Sequence, residues 1–400
     1  MPQQEKKVGF VTMGQVSDET KPIKDIGVGM LGYAFMGKAH SNAYQRMPFF
    51  FYPPPARPRL VAICGRNKRA VEEAAWRYGY ARAVTDWKQV ISDPEVQLVD
   101  NGLPNNLHME PCIEAAEHGK SILCEKPLAM NHAEAKRMYE AAEKAKVKHM
   151  TAFNYRFIPA VQLARNLILR GEIGKPLQFR GVYLQEWIMD PKFPLVWRLR
   201  KDIAGAGVLG DLGAHVLDLA RFLVGEIAQV CGLTKTFINE RPLPDDPNKT
   251  GTVDVDDAFI SMLRFSNGAI GSVEASRFCA GRKNLQRIEI HGSEGTINFN
   301  LERLNELDMY KTSDPADERG FKTILVTESV HPYYDRWWPH GHTIGWEHAT
   351  VHEVYHFIKC IVDDESVAPL GATFYDGMKN NQIMDAIIRS SERGTWERTE

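Results

Sequence analysis

Short apolar runs alternate with helical segments over residues 25–152 of the chain. The runs occupy 26–31, 60–64, 96–100, 121–123 and 148–153. Between them, apolar positions recur at helical spacing, as in the segment 68–78, which ends at Gly79. Uninterrupted apolar runs of this length are typical of strands that are buried on both faces. Their alternation with helices predicts an α/β domain, built as a doubly wound parallel sheet.

The pattern changes after residue 152. A long amphipathic helix is predicted over 158–170. Beyond it, polar and apolar residues alternate in the segments 177–187, 258–265, 269–278, 288–292 and 295–299. Alternation with a period of two predicts strands with one exposed face, and Asn267-Gly268 predicts a hairpin turn. We therefore expect residues 153–400 to form an α+β domain around a mostly antiparallel open sheet, covered in a homodimer or homotetramer.

Length and charge add limits to this picture. A chain of 400 residues fits two domains, and 49 basic against 51 acidic residues leave no field that would attract nucleic acid or a membrane. The six cysteines show no paired spacing, which favours free thiols in a reducing compartment. Residues 1–24 read as a polar extension in which 8–11 adds a short strand. The extension contains no apolar leader, so we expect a cytoplasmic protein.

A glycine-rich turn joins the first predicted strand to a helix that opens at residues 38–40. The turn, 32–37, reads GYAFMG and matches the dinucleotide fingerprint GxGxxG except at its middle glycine. Such a turn aims the helix N-terminus at a pyrophosphate. The predicted cofactor contacts in it are Gly32, Ala34, Phe35, Met36 and Gly37. Taken alone, the pattern is equally that of a plain turn between strand and helix.

The end of the second strand bears on the choice between NAD and NADP. An acidic residue usually stands there to bind the ribose hydroxyls, but this chain has Gly65-Arg66. The absent carboxylate and the nearby guanidinium favour NADP slightly, because Arg66 can pair with a 2′-phosphate. The alternative is that Asn67 only caps the next helix and the cations are solvated, in which case NAD remains open.

A lysine follows the fourth strand, at the sheet edge where α/β proteins bind ligands. Glu125-Lys126-Pro127 forms a turn that the proline stiffens, and a fixed ammonium polarises a substrate oxygen. The loop 102–108, with Pro104, Asn105 and His108, opens at the same edge, so we expect it near the nicotinamide. A lone tripeptide of this kind is more often a surface ion pair.

Asp211 and His215 lie four residues apart on a helix predicted from about 209 to 223, hence on one helical face. A carboxylate beside an imidazole is suited to general acid–base chemistry. The alternative is a capping aspartate next to a core histidine.

Together these segments resemble the glucose–fructose oxidoreductase/inositol dehydrogenase-like (Gfo/Idh/MocA) family over residues 25–394. The residues that carry the resemblance lie at 32–40, 104–108, 124–127, 154–157, 210–215 and 372–377. The chain departs from the family pattern at Ala34, at Gly65 and at Asn101-Gly102, and the first two departures blur the choice of cofactor.

The resemblance implies an NAD(P)-dependent oxidoreductase. Hydride would pass between the nicotinamide and a hydroxyl or keto carbon of a sugar, a sugar derivative or a cyclic polyol. His215 would take the hydroxyl proton, Lys126 would stabilise the alkoxide, and Asp211 would orient His215 or bind a neighbouring hydroxyl. The charge of Lys126 should keep His215 unprotonated. Glu125 and Lys126 would also touch the cofactor.

The residues that bind the substrate are less clearly marked in the sequence than those that bind the cofactor. The resemblance places Asn154 and Arg156 at the cleft. Trp187, Trp197 and Arg198 surround a proline-rich loop and suit a pyranose, although two tryptophans equally suit a core or an interface. His342, in the aromatic stretch 333–342, is predicted to reach over the cleft.

Three histidines, His348, His352 and His356, share one helical face, but no carboxylate or thiol completes a ligand set, so no metal is expected. Two other functions fit the same fold. One is a non-catalytic, dinucleotide-responsive regulator, and the other is a reductase of a non-sugar ring. The proton-transfer residues argue against the first, and the hydroxyl-binding groups argue against the second.

Overall fold

The computed structural model describes residues 22–399, so the strand predicted at 8–11 lies outside the described residues. The first half is a parallel sheet with the spatial order β3-β2-β1-β4-β5-β6, which is the doubly wound order. Its strands are β1 (Asp25–Leu31), β2 (Arg57–Cys64), β3 (Arg82–Val84), β4 (Leu98–Asn101), β5 (Ser121–Cys124) and β6 (His149–Thr151). All five predicted runs form strands. The added strand, β3, is three residues long and leaves no periodic signal.

The helices of this half connect and cover the strands. They are α1 (Phe35–Phe50), α2 (Lys68–Tyr78), α3 (Trp87–Ile91), α4 (Met109–Glu117) and α5 (His132–Ala145). The bounds predicted for α2 are confirmed, because the Asn67 side chain accepts a hydrogen bond from Ala70 N and Gly79 closes the helix in a left-handed conformation. Helix α1 begins three residues earlier than predicted, inside the glycine-rich turn.

The second half is a mixed sheet with the order β16-β15-β14-β13-β7-β12-β11-β8-β17, beside a small β9–β10 ribbon. All its pairs are antiparallel except β7 with β12, and β11 and β12 form the predicted hairpin. The strands are β7 (Pro176–Leu184), β8 (Ile227–Lys235), β9 (Glu240–Leu243), β10 (Asp246–Thr252), β11 (Ala258–Phe265), β12 (Ile270–Ser276), β13 (Leu285–Gly292), β14 (Gly295–Asn300), β15 (Glu306–Lys311), β16 (Lys322–Leu325) and β17 (Glu397–Arg398).

Five helices accompany this sheet: α6 (Pro159–Leu169), α7 (Lys201–Ala204), α8 (Ala214–Leu223), α9 (His348–Val362) and α10 (Phe374–Arg393). A π-helical turn, Leu209–Gly213, leads into α8. Helix α9 packs on α1, and α10 packs on both α5 and β8. The last two helices therefore join the halves of the chain, and the side chains of α10 bond to both: Asn381 donates to Ala129 O (2.8 Å) and Asn380 donates to Ala214 O (3.0 Å).

One helical stretch of the described chain, Lys201–Leu223, is long and apolar enough to cross a membrane. Its most apolar window is 78% buried inside the fold. Val216 and Leu217 belong to the main core of the second half. Burial in that core accounts for the composition of the stretch.

Candidate active site

A cavity of about 500 Å³ opens between the carboxyl edge of the parallel sheet and the mixed sheet. Lys126, Asp211 and His215 all line it, so the predicted convergence of these residues from opposite halves is confirmed. A second cavity of about 200 Å³ adjoins the first and shares Phe35, Lys126 and Asp211 with it. The second cavity runs along the glycine-rich turn, where a dinucleotide is expected.

The glycine-rich turn is shaped by two close approaches of backbone to backbone. Gly32 has φ near 97°, and a Cβ there would come within 2.7 Å of Gly102 O. A Cβ on Gly37 would overlap the Gly32 carbonyl, so Gly37 lets α1 pack against the end of β1. Ala34, Phe35 and Met36 lie at the start of α1 and line the second cavity. The tight turn and the helix N-terminus that follows it have the geometry suited to a pyrophosphate, as the sequence predicts.

Facing this turn, the loop after β4 contributes Gly102, Pro104 and Asn105 to the second cavity. His108, a predicted cofactor contact, is fully buried and lines neither cavity. Its Nε2 lies 2.8 Å from Leu103 O and its Nδ1 lies 3.0 Å from Pro127 O, and the neutral ring donates to one of these two carbonyls. The prediction is corrected, because His108 packs inside the fold between the cofactor loop and the Lys126 turn and reaches neither cavity.

The position that usually carries the ribose-binding carboxylate is blocked. A Cβ on Gly65 would overlap the ring of Tyr33, which lies directly over it. Arg66, the next residue, is exposed and precedes α2 by two positions. The structure thus explains the missing acidic residue and leaves Arg66 free to meet a ligand.

Glu125 and Lys126 follow β5 and line both cavities, but their side chains have different partners. Lys126 Nζ donates to Asp211 O (2.7 Å) and to Asp211 Oδ1 (3.2 Å). Glu125 is buried, and its Oε1 lies 3.1 Å from His40 Nε2, while His40 Nδ1 contacts Asp100 at 2.8 Å. Burial opposes a charge on His40, but Asp100 and Glu125 raise its pKa well above the ordinary value. This buried ionic chain, which the sequence did not reveal, anchors the turn that carries Lys126.

Asp211 is held by two cations. Lys126 contacts Oδ1, and Arg277 Nη2 donates to Oδ2 at 2.7 Å. Burial would raise the pKa of Asp211, but the charges of Lys126, Arg277 and Arg198 lower it well below the usual range. Both carboxylate oxygens are therefore engaged away from His215. Asp211 therefore forms no hydrogen bond with His215, and the predicted orienting of His215 by Asp211 is absent. No sequence motif indicated that Arg277, directly after β12, reaches Asp211.

His215 projects into the cavity from the first turn of α8. Its ring stacks on Tyr155, with centroids 4.3 Å apart and an interplanar angle of 28°. Nδ1 is buried and has no hydrogen-bond partner among residues 22–399. Burial and then the charge of Lys126 lower the pKa of His215 well below its ordinary value, and Asp211 opposes them only in part. His215 is therefore neutral and able to accept a proton at neutral pH.

A chain of hydrogen bonds lines the wall of the cavity beyond His215. Trp346 Nε1 donates to Tyr155 Oη (3.2 Å), which lies 2.8 Å from Tyr183 Oη, and Tyr183 Oη donates to Asn284 Oδ1 (2.9 Å). Gln185 also donates to Asn284. Sequence reasoning did not select these residues. The available signal was the spacing of Tyr183, near the end of β7, and Gln185, directly after it, since residues two apart in extended chain point to the same side.

Four of the six predicted substrate residues line the cavities. Asn154 and Trp187 line the first, Trp197 the second and Arg198 both. The other two do not. The guanidinium of Arg156 forms a buried pair with Asp218 (2.6 and 2.8 Å), and His342 is exposed on its loop, bonded to Pro339 O.

These two placements correct the predictions. Arg156 is neutralised by the Asp218 carboxylate of α8, and His342 lines neither cavity. The predicted histidine row on α9 is also engaged internally: His352 bonds Phe157 O and Trp337, and His356 bonds Val367 O. Over residues 22–399, no group of three or more His, Cys, Asp or Glu is arranged to hold a metal ion.

A dinucleotide groove that ends at a fixed lysine, opposite a neutral histidine, defines a nicotinamide-dependent dehydrogenase. The family model for the NAD-binding Rossmann fold of an oxidoreductase family matches residues 26–153, and that for the GFO/IDH/MocA C-terminal domain matches residues 161–298. The chain belongs to the Gfo/Idh/MocA family of oxidoreductases, as the sequence predicted.

Several relatives have known activities. A levoglucosan dehydrogenase of Pseudarthrobacter phenanthrenivorans is 46% identical over 94% of this chain and 98% of its own length. A myo-inositol 2-dehydrogenase of Thermotoga maritima is 31% identical over 68% of this chain and 74% of its own length. A solved structure of levoglucosan dehydrogenase in complex with NADH has a TM-score of 0.91 at 47% identity, and covers 94% of this chain and 100% of that chain.

The chain is thus an NAD(P)-dependent oxidoreductase that acts on the CH–OH group of a sugar or polyol. This result confirms the predicted activity and cofactor class. It also disfavours the two alternatives, a non-catalytic regulator and a reductase of a non-sugar ring.

Proposed function

We propose that this protein oxidises one ring hydroxyl of levoglucosan or a similarly compact cyclic sugar and passes the hydride to NAD. The observation that carries the proposal is the joint placement of Lys126 and His215 in one cavity, next to the dinucleotide groove. The levoglucosan dehydrogenase relatives support the choice of sugar.

In this reaction the hydroxyl proton and the carbon-bound hydride leave in different directions. His215 accepts the proton, because its ring is unprotonated and faces the cavity. Lys126 donates a hydrogen bond to the oxygen as negative charge develops on it. Bound NAD supplies the hydride acceptor, and the products are a ketone and NADH. Asp211 holds the Lys126 ammonium in place through the contact at 3.2 Å.

The remaining ring hydroxyls meet two kinds of surface. Asn154, Asn284 and Lys283 supply polar contacts, while Trp187 and Trp346 supply flat faces for C–H groups. The bonds among Tyr155, Tyr183 and Asn284 fix these groups before substrate arrives, which reduces the entropy lost on binding. A cavity of about 500 Å³ has room for one monosaccharide ring.

The test is an absorbance assay for reduced nicotinamide over a panel of levoglucosan, D-glucose, L-sorbose and myo-inositol, with NAD and NADP run separately. We expect levoglucosan or another cyclic sugar of the panel to give the highest kcat/KM, and the Lys126→Met protein to serve as the inactive reference. Equal background rates for wild type and variant on every sugar would contradict the proposed function.

Cofactor preference is open to a separate test at Arg66. The exposed guanidinium favours NADP, whereas the solved relative contains NADH. We propose that NAD is the working cofactor and that Arg66 sets the residual use of NADP. Arg66→Ala should raise KM for NADP about tenfold and leave KM for NAD nearly unchanged. Arg77→Ala, at the far end of α2, removes the same charge and should change neither value. Equal effects of Arg66→Ala on the two cofactors would count against a phosphate contact.

We further propose a dimer formed through the open face of the mixed sheet. Leu233 and Ile260 lie directly opposite each other on this face and are 64% and 56% exposed, and Met262 and Ile270 extend the apolar surface. The occupant we propose is a second copy, because Arg180 on β7 and Glu274 on the neighbouring β12 allow opposite charges to meet across a twofold axis.

Ile260→Asp should therefore shift the mass measured by light scattering from dimer or tetramer towards monomer. Leu169→Asp, at an exposed apolar position on α6, is the matched control and should leave the mass unchanged. A monomeric wild type would refute the interface.

All six cysteines are free, which agrees with action in the cytoplasm.

A further inference from the structure

Arg277 is a buried cation at the site that neither the sequence analysis nor the family resemblance selected. It follows β12 directly, and its side chain is 1% exposed. Nη2 donates to Asp211 Oδ2 at 2.7 Å, and the guanidinium carbon lies 5.3 Å from the centre of the Trp187 ring. Nε and Nη1 are buried and have no partner among the described residues. Burying a charged guanidinium costs free energy, and a single ion pair offsets that cost only in part. The position of Arg277 is therefore better explained by a role at the site.

The surroundings of Arg277 fix the turn that carries Asp211. The Asp256 carboxylate accepts hydrogen bonds from Gly207 N (2.8 Å) and Leu209 N (2.7 Å), where the π-helical turn begins. Arg277 N donates to Asp257 O at 3.1 Å. The backbone of the turn is thus held by Asp256, while the side chain of Asp211 is held by Arg277.

The contact between Arg277 and Asp211 sets the orientation of the Asp211 carboxylate. His215 is one helical turn from Asp211 and would be a natural partner for its carboxylate. Instead, Lys126 and Arg277 occupy the two carboxylate oxygens, and His215 Nδ1 stays without a partner among residues 22–399. We propose that Arg277 is a positioning residue, which turns Asp211 towards Lys126 and so leaves His215 as the free acceptor of the substrate proton. This inference rests on the proposed function.

The groups that face His215 determine what loss of Arg277 would do. They are Lys126 after β5, Asp211 on the π-helical turn, Tyr155 after β6 and Tyr183 on β7. Burial raises the pKa of both tyrosines, so they stay neutral. Without Arg277, Asp211 is free to pair with His215, and that pairing raises the pKa of the imidazole.

The test compares Arg277→Met with Arg277→Lys by steady-state kinetics over pH. Arg277→Met should lower kcat about 30-fold and move the acid limb of kcat/KM up by about one pH unit, because His215 is then protonated at higher pH. Arg277→Lys keeps the charge, so it should lose part of kcat and keep the wild-type acid limb. The buried Arg241, which bonds only backbone carbonyls, gives the matched control: Arg241→Met should lower Tm without moving the limb.

Two further measurements separate this inference from the proposed function. The first is an NMR titration of His215 without substrate, in protein labelled at histidine and assigned with His215→Gln. It should show the same upward shift in Arg277→Met. The second uses the Asp211→Asn/Arg277→Met double variant, in which the shift should disappear if Arg277 acts through Asp211.

If the wild type oxidised no sugar but His215 still titrated at higher pH in Arg277→Met, the proposed function would be refuted and the positioning role of Arg277 would stand. An active wild type whose His215 titrates identically in Arg277→Met and in the parent would overturn the inference. Persistence of the shift in the double variant would overturn it as well.

Discussion

Replacing Lys126 with methionine is expected to lower kcat about 10³-fold while NAD binding stays near the wild-type level. The ammonium donates to the substrate oxygen only as that oxygen becomes an alkoxide, so its loss is felt mainly in the transition state. Lys126 contacts Asp211, and no hydrogen bond joins its side chain to the glycine-rich turn. Nucleotide affinity, measured by quenching of tryptophan fluorescence, should therefore change little.

The matched control is Lys120→Met at the other end of β5. Lys120 also makes two partly buried contacts, to Asp93 O (3.0 Å) and Val96 O (2.7 Å), but it lines neither cavity. Its loss should lower Tm and spare kcat. If Lys126→Met kept more than about a tenth of wild-type kcat, the lysine would not be stabilising the alkoxide.

Removal of His215 is expected to have the second-largest effect, a fall in kcat/KM of about 10²- to 10³-fold for His215→Ala. The sign of the pH dependence follows from its environment. Burial and Lys126 lower the pKa of His215, so the neutral form persists well below the ordinary titration point of about 6.5. The wild-type acid limb should therefore lie below that pH, with no loss of activity between about pH 7.5 and 6.5.

The alanine variant should lack this limb and should regain activity with added imidazole, which can enter the space left by the ring. His118→Ala, at an exposed position on the far side of the parallel sheet, is the surface control. An acid limb that survived unchanged in His215→Ala would show that another group accepts the proton.

The parallel sheet was predictable because it depends on local patterns, namely the apolar runs and the glycine-rich turn. The meeting of Lys126 with His215 was expected only from the family resemblance, since no local pattern links residues from opposite halves of the chain. Sequence reasoning was less reliable for polar residues whose partners are remote. Arg156 read as a substrate ligand, but Asp218, 62 residues away, neutralises it in the interior. His108 was likewise predicted to contact the cofactor, but its ring lies against Pro127 O inside the fold.

Arg277 is the opposite case, a residue of the site that sequence reasoning did not select. It lies 66 residues from Asp211, directly after an ordinary hairpin strand, and no motif marks it. Tyr183 and Asn284 were also hidden, since their meeting requires the pairing of β7 with β13. Local sequence determines which elements form, whereas the register between strands determines which polar groups meet at the site.

The two adjacent asparagines of α10 have a consequence for how the enzyme moves. Asn381 is bonded to the segment after Lys126, and Asn380 to the first residue of α8, next to His215. Helix α10 thus contacts both halves of the chain and fixes the distance between Lys126 and His215. A hinge that swung the halves apart would have to break the bond between Asn381 and Ala129, because α10 and α8 both belong to the second half. With that bond kept, exchange of nucleotide and sugar relies on the surrounding loops, and the pair keeps its spacing through every turnover.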